Sequence, residues 1–444
     1  MSAKHRLVSL FPLFLVLLAL PVHAALNLQH WQTRQGARVV FVENRDLPIL
    51  DISVDFSAGT AYDRPGKYGV ASLTRHLMGL GAGAWSEKDI AERLADVGAV
   101  MGGHIDGDRA SFELRMLSGQ AEREQALAVL AAILQQPHFP KPVIEREKAR
   151  TIAGLKESRI QPEVIGAEAF QAAIYGEHPY SAASRVGEAG VAKLQQADFV
   201  DFHRRHYRAK ALSIAIMGDV SRAEAEAIAE QLAKGLPAGE APAPVPAVAV
   251  NPVGKPQVLP HHASQSHLFM GLPGLKREDP DYFPLLVGNY VLGGGGFDSR
   301  LMKEIRQQRG LAYSTYSYFS PMAELGPFQI GLQTKRESTD EVVRVVRETL
   351  RRFVEEGPSE AELAQAKNNM IGGFPLRLDS NKKILGYLGV IGFYRLPLDW
   401  LDSYMPRVAA VTREDIVRAF RSRVPLAAVQ TMIVGGQADG AAGK

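Results

Sequence analysis

Cysteine is absent from all 444 positions. That excludes disulfides, thiol nucleophiles and Cys-ligated zinc together, and it leaves no residue for a lipoprotein anchor. A charge excess of either sign is lacking too: 51 Lys and Arg stand against 48 Asp and Glu, a formal net charge of +3. Nucleic-acid binding normally needs a concentrated basic face, so this balance gives no reason to expect it. Past residue 24 no long apolar run occurs, and the rest of the chain reads as soluble, without stable membrane insertion. Apolar residues make up 46% and aromatics 8%. These are ordinary values for globular cores, and the length allows two domains or more.

The first residues read as a targeting segment. Lys4, His5 and Arg6 form a positive region, Leu7 to Leu20 is almost wholly apolar, and Val22-His23-Ala24 fits a small-residue cleavage site. The run is short for a span of about 20 residues. The expectation is a signal peptide over 1–24, cleaved before Ala25 in a bacterial periplasm, with an uncleaved anchor as the rival.

Residues 236–256, LPAGEAPAPVPAVAVNPVGKP, are dense in Pro and Ala. Proline removes donors and fixes φ, so no regular helix packs here, and an extended, semi-rigid linker is expected. It separates two halves, 25–235 and 257–438, with a tail at 439–444. The halves resemble each other. LQQADFVDFHRRHYRAKALSIAIMGD near the end of the first matches VTREDIVRAFRSRVPLAAVQTMIVGG near the end of the second; Asp198 and Asp415, like Gly218 and Gly435, are 217 residues apart. A repeat of that length means duplicated domains, since solenoids repeat every 20–50 residues or so.

Within each half the order is strand, helix, strand, several helices, strand. LDISVDFSAG alternates as a half-buried strand does, and RASFELRML alternates likewise. Gly69 to Gly79 is helical. Ser86 to Asp89 caps the helix IAERLADVG, which Gly98 stops. Long helices are predicted at Gln120–Gln135 and Pro142–Arg159. The fold class is α+β: two homologous mixed α/β sandwich domains.

Five stretches and one architectural feature carry a resemblance. They are GVASLTRHLM, WSEKDIAERLADVGA, GDRASFEL, YGEHPYSAASRVG, VLGGGGFDSRLMKEIRQQRGLAYSTYS and the duplicated architecture itself. Together they resemble the pitrilysin/insulinase family of inverted-zinc metallopeptidases, most closely its half-sized members such as processing-peptidase subunits. In active members a helix carries H-x-x-E-H, placing two His and one Glu on one face. The His bind zinc and the Glu takes the proton of the attacking water. Matched without gaps, those places fall on Ser72, Arg75 and His76. The family's third ligand, a Glu on a later helix, belongs to an acidic pair that falls here on Ala153 and Gly154, although the EREK run before it survives as Glu145 to Lys148.

One zinc ligand of three remains, so no metal is expected in this chain. Ser72 is a weak neutral ligand and Gly154 has no side chain. Arg75 is always charged, and a charge about 4 Å away at an effective dielectric of ~20 costs about 4 kcal/mol per unit of metal charge. His104, His178, His261 and His262 stand in no recognised ligand spacing.

The resemblance also implies a retained half-site. The family's second domain carries an Arg and a Tyr, seven residues apart, that face the zinc across the cavity, and Arg306 and Tyr313 stand at that spacing, with Arg309 as the nearest competitor. A guanidinium can hold a substrate carbonyl and a phenol can stabilise oxyanion charge. Gly293, Gly294, Gly295 and Gly296 correspond to a glycine-rich loop associated with substrate handling. No Gly-Lys-Ser/Thr follows, so a phosphate cradle is not indicated, and a tight turn needing positive φ is the plain alternative. The expected function is that of a non-zinc subunit of a periplasmic heteromeric metallopeptidase: a zinc-bearing homologous partner supplies the metal, and this chain supplies Arg306, Tyr313, the glycines and part of a peptide-binding chamber. The alternatives are an inert binding or scaffold protein of the same fold and an independent peptidase with a rebuilt metal site.

Overall fold

A computed structural model describes residues 27–253 and 255–435. The expected signal peptide and C-terminal tail lie outside these residues. In the first half, β1 (Gln29–Gln32), β2 (Arg38–Glu43) and β3 (Ile49–Phe56) are followed by a small hairpin, β4 (Gly81–Ala82) and β5 (Trp85–Ser86), and then by β6 (Val100–Gly102), β7 (Ala110–Leu117) and β8 (Leu212–Gly218). The second half contributes β9 (Gln257–Leu259), β10 (Gln265–Leu275), β11 (Thr315–Phe319), β12 (Gly326–Lys335) and β13 (Gln430–Val434).

The first sheet runs β1-β2-β8-β3-β7-β6 and the second β9-β13-β10-β12-β11. The duplication is visible strand by strand. In each sheet the C-terminal strand pairs in parallel with the half's early strand (β8 with β2, β13 with β9), and the neighbours on its other side run antiparallel. The local chemistry repeats as well. The helices Gln196–His206 and Arg413–Arg423 both open on a capping box, Gln195 with Asp198 and Thr412 with Asp415. Gly218 and Gly435 end the matching strands at φ of 138° and 101°, the left-handed region that favours glycine.

Each half lends a helix to the other. Pro162–Tyr175 lies on β10 and β13 of the second sheet, and Asn381–Tyr394 lies on β2, β3 and β8 of the first. Glycines permit the approach: a Cβ on Gly166 would sit 2.3 Å from the Phe269 ring, and one on Gly392 would sit 2.6 Å from Ser213 Oγ. The two helices occupy equivalent places in the repeat, and both end in a tyrosine whose hydroxyl crosses between halves. Tyr175 donates to the Leu325 carbonyl at 3.0 Å and Tyr394 to Asp108 Oδ2 at 2.9 Å.

This exchange corrects the expectation of a half-solvated β3. Its alternate residues Asp51, Ser53 and Asp55 are buried because the Asn381–Tyr394 helix covers that face. Arg115 neutralises Asp51 with two hydrogen bonds, and Arg109 reaches Asp55 at 3.0 Å. Residues 236–253 form no helix or strand. They lie against the body: Val245 is buried beside Tyr175 and Tyr180, and His178 Nε2 meets the Pro246 carbonyl at 2.9 Å.

Candidate functional site

The Val70–Met78 helix positions Ser72, Arg75 and His76. Gly69, its N-cap, sits at φ 92° and has no side chain to offer. Asp63 fills that role from outside the helix, accepting from Gly69 N at 2.6 Å and Ala71 N at 2.8 Å. Burial raises the Asp63 pKa to about 7 in spite of these bonds. The buried face of Val70, Leu73, Leu77 and Met78 seats the helix in the first core, leaving Arg75 and His76 toward the open side.

Arg75 is anchored. Its Nε donates to the Ser111 carbonyl at 2.9 Å, its Nη2 to the Gly102 carbonyl at 3.2 Å, and the guanidinium lies 5.0 Å from the centre of the Phe112 ring. Gly103 makes room for this: at φ 124° its added Cβ would fall 2.5 Å from Arg75 Nη2 and 2.1 Å from the Ser111 carbonyl oxygen. Burial lowers the Arg75 pKa, opposed by Tyr207 and Glu113.

His76 Nε2 meets Glu147 Oε2 at 2.9 Å, from the Lys141–Ser158 helix. Glu147 is 2% exposed and also takes Arg146 Nε at 2.7 Å and Arg150 Nη1 at 3.3 Å. Burial alone would raise its pKa; hydrogen bonds from His76 and Arg146 and the neighbouring positive charge outweigh burial and hold it low. Glu147 stands within the EREK run, but nothing in the sequence tied it to His76. Gly154, two turns further on, is exposed, and a Cβ there would meet nothing within 4 Å. Space for a side chain exists, but no ligand fills it.

These residues do not fit a catalytic zinc, which normally takes three protein ligands. Among the described residues no three His, Asp or Glu side chains gather in a way that could hold a metal ion. The other histidines are dispersed: His104 faces Glu113 at 3.7 Å, His178 contacts Pro246, and His261 stacks on His262 with ring centres 4.4 Å apart.

In the second half the structure brings Arg306 and Tyr313 together. The Arg306 guanidinium lies 4.5 Å from the Tyr313 ring centre and 4.8 Å from that of Phe297, a cation held between two aromatic faces. Phe297, which follows the glycines, escaped the sequence reading because nothing in its local pattern shows where its ring turns. Both rings are open to solvent, Tyr313 at 82% exposure and Phe297 at 61%. Arg309 is separated from this group, with its Nη1 bound to the carbonyl and carboxylate of Glu304. Tyr313 also lines a cavity of about 220 Å³ with Glu163 and His267.

The glycines end a helix. Tyr290–Gly294 is a π-helical turn continuing the Tyr282–Asn289 helix, and Met302–Gln307, which carries Arg306, is a second one; such turns recur at functional sites. A Cβ on Gly293 would lie 2.4 Å from Ser317 Oγ and one on Gly295 2.7 Å from the Tyr290 carbonyl, so close packing demands both. Only Gly296, at φ 61°, has the positive φ of a tight turn. Asn289 and Ser317 exchange two hydrogen bonds, at 3.0 and 2.7 Å, tying the turn to β11.

The chain is similar in sequence and fold to known proteins. Residues 38–185 match the family described as Insulinase (Peptidase family M16), and residues 193–370 match Peptidase M16 inactive domain. A structure of the peptidase M16 inactive domain from Pseudomonas fluorescens is 35% identical, superposes with a TM-score of 0.90, and covers 93% of this chain and 98% of that one. The non-peptidase homolog YmxG of Helicobacter pylori is 24% identical over 91% of this chain and 94% of its own length. The periplasmic protease PqqL from Escherichia coli shares the fold, with 15% identity and a TM-score of 0.77, over 93% of this chain and 46% of that one. Among the described residues no helix is long and apolar enough to cross a membrane.

Proposed function

The chain belongs to the insulinase (M16) peptidase family, and from that premise we propose that it is the zinc-less subunit of a periplasmic heteromeric metallopeptidase. The observation that carries this reading is the asymmetry between its two halves. At the zinc positions Arg75 is built into the framework and Glu147 binds His76. In the other half Arg306 is aligned by two exposed rings and pairs with no carboxylate among the described residues. A stacked guanidinium keeps its N–H edge free to donate, so Arg306 holds a substrate carbonyl while the exposed Tyr313 hydroxyl faces developing oxyanion charge.

A homologous subunit carrying H-x-x-E-H supplies the zinc. The packed turn at Gly293–Gly296 sets the backbone from which Phe297 and Arg306 project, and helps hold an extended peptide between the subunits. The predicted signal peptide supports a periplasmic site, as does the fold shared with a protease described as periplasmic.

Reconstitution tests this. The zinc-bearing homologue is assayed on a peptide library alone and with an equimolar amount of this chain. The subunit reading expects a complex on size exclusion and at least ten-fold higher peptidase activity. A complex whose activity equals that of the homologue alone favours the scaffold, and failure to associate removes the heteromer.

A further inference from the structure

Arg38, Arg277 and Arg395 line a cavity of about 620 Å³ between the two halves. Arg38 opens β2 in the first half, Arg277 follows β10 in the second, and Arg395 follows the Asn381–Tyr394 helix. Part of the 236–253 segment forms one wall. Two lysines also line the cavity and are already neutralised, Lys210 by Glu240 and Lys276 by Glu324. Asp108 is spoken for as well: it accepts from Tyr180, Tyr394 and the Ala323 amide. Glu278 also lines the cavity and is exposed to solvent, which screens its charge.

The three arginines remain without a carboxylate partner among the described residues. Arg38 spends two N–H groups on the Gly392 and Phe393 carbonyls, each at 3.2 Å. These are dipoles at a helix C-terminus, which favour a cation without neutralising it. Burial and the charge of Arg395 hold the Arg38 pKa down to about 10. Arg277 Nε is buried with no acceptor, and its guanidinium lies 5.2 Å from the Tyr394 ring centre. Arg395 occupies φ 56°, a backbone region where glycine would be the unstrained choice. Strain is thus tolerated at the residue that brings a third positive charge to a partly desolvated cavity. Uncompensated guanidiniums facing one space are what an oxyanion requires, because its oxygens accept the forked N–H groups and its charge relieves the repulsion.

We propose that this cavity binds a small, multiply charged oxyanion, a polyphosphate or a polycarboxylate, clasped by Arg38 from one half and by Arg277 and Arg395 from the other. Binding there ties the halves together across the cavity. The site is independent of the zinc-less subunit reading, since it uses none of Ser72, His76, Arg306 or Tyr313.

Isothermal titration of the purified full chain with inorganic tripolyphosphate, and separately with citrate, at matched ionic strength, tests the proposal. The expected result is one saturable site per chain with at least one of the two, weakened ten-fold or more in both Arg277→Gln and Arg395→Gln. Preference for tripolyphosphate identifies a phosphate ligand and preference for citrate a carboxylate. Without ligand, Arg395→Gln melts at the parent temperature or above, because a repulsion has been removed. No saturable heat at millimolar concentration of either anion, or binding that both variants retain undiminished, overturns the proposal. A ligand-free Arg395→Gln that melts several degrees lower overturns it too, by showing Arg395 to be a structural tie.

Discussion

Arg75 Nε donates to the Ser111 carbonyl at 2.9 Å, so the residue standing at the expected catalytic glutamate position holds its helix to β7. Arg75→Met keeps most of the volume and leaves the carbonyl of the buried Ser111 short of a donor, while the exposed Gly102 carbonyl turns to water. A buried acceptor without a partner costs about 1–3 kcal/mol. Urea denaturation should show a loss in that range with an unchanged slope. A variant as stable as the parent would show that the anchor contributes nothing.

Restoring the motif alone should not restore the metal. Ser72→His with Arg75→Glu supplies two ligating atoms with His76, but Gly154 leaves the third protein ligand missing. Elemental analysis after dialysis should find well under one zinc per chain in the double variant. Adding Gly154→Glu, into the open space beside the helix, should raise affinity at least ten-fold. Stoichiometric zinc in the double variant would contradict the account.

The two crossing tyrosines should differ in weight. Tyr394 donates to the buried carboxylate of Asp108, whereas Tyr175 donates to the neutral Leu325 carbonyl. Hydrogen bonds to charged groups contribute about 1.5–3 kcal/mol and neutral ones about 1 kcal/mol. Tyr394→Phe should therefore destabilise the chain more than Tyr175→Phe, by denaturant midpoint at constant slope. The reverse order would mean that Asp108 is carried by Tyr180 and the Ala323 amide alone.

Asp63 makes stability depend on pH with a definite sign. Its folded-state pKa is raised from 3.8 to about 7, so the folded chain holds the proton over a range where the unfolded chain has lost it. Its contribution falls as pH rises through that window. The imidazole of His206, held down to about 4 by burial and by Arg205, acts with the opposite sign in the same range. The difference between parent and Asp63→Asn isolates the carboxyl: the parent should lose stability relative to the variant between about pH 4 and pH 7. A difference that stays flat with pH would place the Asp63 pKa near its ordinary value.

Much of this fold was legible because local chemistry repeats. Capping residues, strand-ending glycines and the predicted helix at Gln120–Gln135 all fall where the pattern puts them. The exchange of helices was not legible. Alternation in β3 reports that Asp51, Ser53 and Asp55 share a face, but not that a helix some 330 residues later covers it. The pairing of Glu147 with His76 and the sandwiching of Arg306 by Phe297 depend in the same way on where side chains converge after packing. Arg306 and Tyr313 were pointed to by the family resemblance and not by their spacing alone; they lie on either side of the turn between Met302–Gln307 and the start of β11.

As the proposed zinc-less subunit, this chain contributes Arg306 and Tyr313 to a metal centre held by another subunit. The most direct test of that role is steady-state kinetics of the assembled complex carrying Arg306→Ala or Tyr313→Phe here and a native zinc subunit. Removing a donor aimed at developing charge costs about 2.7–4 kcal/mol. The account predicts a fall in kcat of roughly 10²–10³, with the complex intact on size exclusion and peptide binding changed far less. An assembled complex whose kcat is unaffected by both substitutions would contradict it.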